Sequence, residues 1–289
     1  MDRGFLSNIE LRTPGGRLYY GLIILVLLAT ALVSLFPFFF AFTSGLKGST
    51  EIFKSGLNLL PVTPQWSNYQ DAWSQFSMTR LFMNSFTIVI VGVIFRLSVS
   101  TAAAYSLSQL KPIGGRLVIM CFLFTLMTPG IAYFVPLYVT IGDLPIIHVN
   151  LLNSYWGLWL PYAVDAFTIF VLKTFFDRIP SEIVDSAKVD GASPLQTFIQ
   201  IVLPLSRSIL IVLGVLAFVA MWKDFLLPLL VITDPEKQPI TVRLVYLANR
   251  YGVNLQMAAS FIALLPPLLI AIILQRYMKV GLTIGAVKG

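Results

Sequence analysis

Between Leu18 and Phe42 the chain runs for 25 positions without a charged side chain. As a helix that run would be about 37 Å long, more than the roughly 30 Å of hydrocarbon in a bilayer, so it has the length to span a membrane. Five more apolar segments follow, at about Phe82–Leu107, Leu117–Ile141, Tyr155–Phe176, Ser208–Val231 and Met257–Met278. Backbone groups facing lipid must find their hydrogen bonds within the segment, which makes each of these a helix. The expected fold class is therefore an all-α membrane protein with six transmembrane helices. Composition agrees, since only 11% of the side chains are charged and 57% are hydrophobic, against about one quarter charged in soluble domains.

Residues 1–17 read as a short polar leader carrying Arg3, Arg12 and Arg17, and residues 18–289 as the transmembrane domain. The first apolar run is too long for a secretory signal and shows no small-residue cleavage site, so it is expected to remain as an anchor. With the N-terminus inside, twelve Lys and Arg residues fall in cytoplasmic parts and six in outer loops, the asymmetry of the positive-inside rule. The net charge of +7 is then explained by topology, and no nucleic-acid partner is expected. Residues 43–80 form a polar outer loop with Trp66, Tyr69, Trp73 and Phe76 spaced through it, a composition suited to the membrane interface.

The polar stretch Ser181–Pro204, SEIVDSAKVDGASPLQTFIQIVLP, stands apart from this apolar background and falls on the cytoplasmic side. Ser181 is a candidate N-cap, and Glu182 lies in the first turn, where the helix dipole favours an anion. Asp190-Gly191 stops that helix, glycine being suited to the left-handed conformation. Ser193-Pro194-Leu195-Gln196 then starts another, with an S-x-x-Q capping box and proline at the first helical position. Leu195, Phe198, Ile199 and Val202 share one stripe of it, and Leu203-Pro204 is expected to end or bend it.

These residues resemble the cytoplasmic motif E-A-A-x3-G-x9-I-x-L-P of the membrane subunits of ATP-driven (ABC-type) importers. Asp185-Ser186-Ala187 stand at its Glu-Ala-Ala, and Gly191, Ile201, Leu203 and Pro204 at its remaining positions. The departures are Asp for Glu and Ser for the first Ala. Asn84-Ser85, Trp222-Lys223-Asp224-Phe225 and the tail at 279–289, with Gly281, Gly285 and Val287-Lys288-Gly289, are similar to the carbohydrate-uptake branch and to its maltose-type shorter permease subunit. Lys223 stands where that branch commonly has Asn.

The resemblance implies a type I permease fold in a bacterial or archaeal cytoplasmic (inner) membrane, both termini inside. It also implies that residues 181–204 are the coupling helix-turn-helix seated in an ATPase subunit. Glu182, Asp185, Ser186, Ala187, Asp190, Gly191, Ala192, Ile201, Leu203 and Pro204 are the candidate coupling residues. The implied partners are a second homologous permease, an ABC ATPase dimer and an extracytoplasmic solute-binding protein, with the lipid membrane around them. ATP and Mg belong to the ATPase, and no cofactor is expected on this chain. The implied cargo is a sugar or oligosaccharide, with a non-sugar solute left open.

Charged residues inside spans are costly and mark cavities or partners. Arg96 and Asp165 each lie 11 residues from the cytoplasmic end of their segment, about 16 Å at helical rise, and are expected to pair; Asp165 is alternatively a polar group on a water-filled path. Asp165, Trp159, Tyr162, Trp222, Lys223 and Asp224 are candidate substrate-pathway residues, since sugars offer hydroxyls to polar groups and apolar faces to rings. For the aromatic residues the alternative is an interfacial belt.

Catalysis is not expected of this chain. Gly45-Leu46-Lys47-Gly48-Ser49-Thr50 lacks the G-x4-G-K-[ST] spacing of a phosphate loop. Cys121 is alone, and the sole His148 has no neighbouring ligand, so neither a disulfide framework nor a metal site is read. The rival class is a secondary transporter driven by an ion gradient, which would need intramembrane acids on broken helices of two repeats. Asp165 and Asp224 fit it in part, but no internal repeat is visible.

Overall fold

A computed structural model describes residues 13–53 and 58–284, the stretch 274–284 as backbone only. The first twelve residues of the leader and the last five of the tail lie outside the described residues. In chain order the helices are α1 (Pro14–Gly45), α2 (Ser67–Gln75), α3 (Met78–Tyr105), α4 (Gly115–Met127), α5 (Phe134–Gly142), α6 (Trp156–Ala163) and α7 (Ala166–Phe176). They continue as α8 (Ser181–Val189), α9 (Pro194–Thr197), α10 (Leu203–Leu205), α11 (Arg207–Trp222), α12 (Leu226–Val231), α13 (Ile240–Leu247) and α14 (Val253–Ile284). Two π-helical turns interrupt the series, Ser106–Leu110 after α3 and Phe198–Val202 between α9 and α10. Among the described residues no strand occurs.

Four helical stretches are long and apolar enough to cross a membrane: Pro14–Gly45, Met78–Leu110, Trp156–Phe176 and Val253–Ile273. The third and fifth expected spans differ from single rods. Gly115–Met127 and Gly130–Gly142 meet at 106°, because Thr128-Pro129-Gly130 supplies a residue that cannot donate followed by one that resists nothing. The fifth span ends at Trp222 and resumes as α12 after a three-residue break at 223–225. Even the fourth span is broken, at Val164 and Asp165. Counting Gly115–Met127 with Gly130–Gly142, and Pro194–Leu205 with Arg207–Trp222, each as one span gives up to six.

The chain divides into two compact units. One contains α1, α2 and the first part of α14. Here α1 exposes Leu18, Leu25, Leu32 and Val33 on all sides, as a helix does when its surroundings are apolar. Its C-terminal end is buried: the Asn68 amide donates to the Gly45 and Lys47 carbonyls, both at 2.9 Å, and the Tyr69 hydroxyl donates to the Phe42 carbonyl at 2.9 Å. A Cβ on Gly45 would come within 2.8 Å of that hydroxyl and 3.0 Å of the Ala258 Cα, so the close approach depends on glycine. Burial pushes the Tyr69 phenol up to about 12. The polar loop expected at 43–80 thus contains a helix, α2, that the tryptophan spacing did not announce.

The other unit is built on α3, which packs against α6, α7 and α11. Ile88, Val89, Leu158, Ile169 and Leu172 form its buried seam. At the N-terminal end of α3, Asn84 donates to the Glu236 carbonyl at 2.8 Å and the Ile240 amide donates to Ser85 Oγ at 2.8 Å. Arg80 also pairs with Glu236. These bonds hold the loop after α12 and lead it into α13.

Candidate functional site

Local chemistry builds the 181–204 hairpin largely as the sequence suggests. Pro180, with φ −54° and ψ 131°, occupies the cap position of α8, so Ser181 is the first helical residue and not the cap. The restriction that proline places on its own φ already fixes the entry. At the other end the Gly191 amide donates to the Lys188 carbonyl at 3.0 Å and the Ala192 amide to the Ala187 carbonyl at 2.9 Å. This is a Schellman turn, and Gly191 holds its left-handed position at φ +80°. Ser193 and Gln196 then complete the capping box: the Ser193 amide donates to Gln196 Oε1 at 2.8 Å, and the Gln196 amide to Ser193 Oγ at 3.3 Å. Helicity continues through Leu203 and Pro204. The chain bends by 78° only at Ser206; Pro204, two residues after the π turn, does not end the helix.

Of the hairpin residues, Val184, Ala187, Thr197 and Val202 are buried, whereas Glu182, Asp185, Ser186, Asp190 and Gly191 are exposed. Asp185 pairs with Lys188 at 2.8 Å. The apolar stripe splits: Val202 is fully buried and Phe198 packs on Tyr105, but Leu195 and Ile199 remain 65% and 52% exposed. Two helices joined by a left-handed turn therefore enclose a groove, lined in part by Ser186, Ala187, Asp190, Gly191, Gln196 and Ile201. Acids on its rim and apolar groups beside it suit a partner that offers cations and an apolar seat. Ala192 and Leu203 are half-buried and Pro204 is exposed.

A second constellation lies where the broken helices meet. Breaking the fourth span leaves the last carbonyls of α6 and the first amides of α7 without intrahelical partners. Each end takes a side chain of fitting sign. Arg96, from the middle of α3, donates its Nε to the Tyr162 carbonyl at 3.0 Å. Asp165 caps α7, its Oδ2 accepting from the Thr168 amide at 2.9 Å and hydroxyl at 2.5 Å. The Arg96 guanidinium and Asp165 carboxylate approach to 4.0 Å, so the expected pair is present as a long contact, with the shorter bonds of both groups going to backbone and hydroxyl. Beyond it, the Tyr162 hydroxyl donates to Asp224 Oδ2 at 2.7 Å, and Asp224 sits in the break before α12.

These groups line a cavity of about 250 Å³ together with Tyr133, Phe134, Leu137, Pro161 and Leu227. All three breaks, after α4, after α6 and after α11, contribute to its wall. Irregular backbone at membrane depth is tolerated where it lines a cavity or is covered by protein, so the breaks and the polar network have one explanation. Arg96, read from the sequence only as a helix-pairing residue, belongs to this wall. So do Tyr133 and Phe134, for which the only sequence signal was the neighbouring Pro129-Gly130.

Three candidate pathway residues do not join them. Trp159 donates its indole N–H to the Ile88 carbonyl at 3.2 Å and stacks on Phe95 at 6.3 Å. Trp222 donates to the Ala263 carbonyl at 3.1 Å and is buried among Phe82, Phe86 and Phe218. Lys223 is exposed at the end of α11. Among the described residues no cluster of three or more His, Cys, Asp or Glu side chains could hold a metal.

A membrane-embedded helical unit whose broken spans surround a polar cavity, with an exposed polar hairpin between two spans, defines a transport permease. The model of the family of binding-protein-dependent transport system inner membrane components matches residues 96–281, and the chain belongs to that family, the permease subunits of ABC importers. It is 30% identical over 270 residues to the sn-glycerol-3-phosphate transport system permease protein UgpE of Pectobacterium atrosepticum, covering 89% of this chain and 93% of that protein. It is 29% identical over 290 residues to the polygalacturonan/rhamnogalacturonan transport system permease protein YtcP of Bacillus subtilis, covering 94% and 99%. Its fold matches a chain in the crystal structure of a bacterial ABC transporter involved in the import of the acidic polysaccharide alginate. There the TM-score is 0.80 at 21% identity, over 95% of this chain and 99% of that one. The secondary-transporter reading is thereby set aside.

Proposed function

We propose that this permease carries a sugar or oligosaccharide inward and draws its energy from a separate ABC ATPase that grips the 181–204 hairpin. The observation that carries the proposal is the hairpin itself: a Schellman turn and a capping box hold Glu182, Asp185, Ser186 and Asp190 on an exposed face between two membrane segments. In this reading an extracytoplasmic binding protein delivers the solute, and a second homologous permease completes the path. ATP and Mg act on the ATPase dimer, whose closure moves the hairpin. Both termini face the cytoplasm of a bacterial or archaeal inner membrane, as the distribution of Lys and Arg suggests.

A polyhydroxylated cargo is supported by the relatives, whose names specify sn-glycerol-3-phosphate and polygalacturonan/rhamnogalacturonan. Arg96, Tyr162, Asp165 and Asp224 supply the donors and acceptors that hydroxyl groups need. The test is uptake of a panel of radiolabelled saccharides by cells carrying the complete importer. ATP depletion should abolish uptake of the cargo and a protonophore should spare it; the opposite pattern refutes the proposal. Uptake of none of the saccharides, with uptake of another solute class, refutes the sugar assignment alone.

A further inference from the structure

α3 touches both constellations. Arg96 lines the cavity, and Tyr105, nine positions later at the end of the same helix, meets the hairpin about 14 Å along the axis. The Tyr105 hydroxyl donates to the Pro194 carbonyl at 3.1 Å, and its ring centroid lies 5.0 Å from that of Phe198. Pro194 opens α9, and its carbonyl also accepts from the Phe198 amide in the first helical turn, a use of both lone pairs. Beside this contact Val202 packs into a buried cluster with Leu172, Phe176 and Leu213. Ala104 and Tyr105 of α3 belong to the same cluster, so the hairpin also packs on α3, but apolar contacts carry no fixed direction. Among the described residues the Tyr105 bond is the one side-chain hydrogen bond that ties hairpin residues 181–205 to α3.

The backbone on either side of the contact is also unusual. One π turn begins at the residue after Tyr105 and the other begins at Phe198 itself. A π turn holds one residue more than an α turn and is often found at functional positions. We infer that Tyr105 is a positioning residue for transport, the link through which movement of the hairpin reaches α3 and the polar cavity; this rests on the coupling role proposed above.

The test uses the complete importer, isolated with its own ATPase, second permease and binding protein and reconstituted in lipid. Cys121→Ser removes the native thiol, and Tyr133→Cys places a reporter on the cavity wall, to be labelled with a membrane-impermeant maleimide with and without ATP and vanadate. In this background labelling should change between the two conditions. With Tyr105→Phe, which removes only the hydroxyl, the complex should assemble, melt within a few degrees of the parent and hydrolyse ATP, yet the labelling response should shrink by about threefold or more. Tyr105→Ala should shrink it further. A full response in Tyr105→Phe, whatever its melting temperature, overturns the inference. Gly191→Val serves as the control: loss of response there with a full response in Tyr105→Phe sinks Tyr105 alone, whereas a full response in both, or none in the reporter background, sinks the coupling reading beneath it.

Discussion

Asp165 can act in two ways, as the cap of α7 or as the partner of Arg96, and two substitutions separate them. The carboxylate accepts two hydrogen bonds from Thr168, at 2.9 and 2.5 Å, but lies 4.0 Å from the guanidinium. A lost N-cap costs about 1 kcal/mol, within a range of roughly 0.5–2, and the bond to the Thr168 hydroxyl adds about 1 more. At 4.0 Å the ion pair is too long for a direct hydrogen bond, and Arg96 keeps its bond to Tyr162 whatever stands at 165. With side chains 14% and 29% exposed, the pair is more than a surface contact, yet its attraction is offset by the cost of holding both charges out of water. Asp165→Ala should therefore cost about 2 kcal/mol, a fall of about 3 °C in melting temperature for a chain of 289 residues. Asp165→Asn keeps the capping oxygen and removes the charge, so it should lose less than half of that. The assay is tryptophan-fluorescence melting of the purified permease in one detergent at one concentration. Equal losses for Asn and Ala would show that the charge matters and the cap does not, and would refute this reasoning.

Further predictions concern the turn and the outer unit. A Cβ at Gly191 meets nothing within 4 Å, so any penalty there comes from the left-handed backbone alone, about 1–2 kcal/mol. Gly191→Asn, which tolerates that conformation, should keep ATP-driven uptake, whereas Gly191→Val should reduce it with the protein still in the membrane; equal uptake by both contradicts the turn's role. Tyr69, with its phenol raised to about 12 from 10, holds its proton more tightly folded than unfolded. Its contribution is fully present below pH 10 and is lost as pH rises toward 12. Melting curves between pH 9 and 12, as roughly bracketed by those values, should show a fall that Tyr69→Phe reduces; an identical fall in the variant would discard Tyr69 as its source.

Much of the hairpin was legible because its signals are local. A capping box, a proline at the first helical position and a glycine at the turn each act within a few residues, and Ser193, Gln196 and Gly191 sit as those rules require. Ser181 misled because Pro180 fixes the same entry by a different route. The number of apolar segments was legible for a similar reason, since hydropathy averages over a whole span. The breaks were not. Proline marks one of them, at Pro129, but Pro37, Pro161, Pro266 and Pro267 lie inside continuous helices, and the break at Val164-Asp165 has no proline in it. What stabilises that break is tertiary: Arg96 from another helix answers the freed end of α6. The same limit explains Trp159 and Trp222. Their indoles find carbonyl partners on neighbouring helices, which no spacing along the chain reveals.

Coupling requires that an ATPase engage the 181–204 hairpin. The most direct measurement is a mild-detergent pull-down of the tagged permease from its native membrane, with the recovered proteins identified by mass spectrometry. An ATPase and a second permease should come down with the native chain, and the ATPase should be lost when Asp185 and Gly191 are replaced together in a variant that still reaches the membrane. Recovery of the chain alone, under conditions that preserve other membrane complexes, or retention of the ATPase by the double variant, would contradict it.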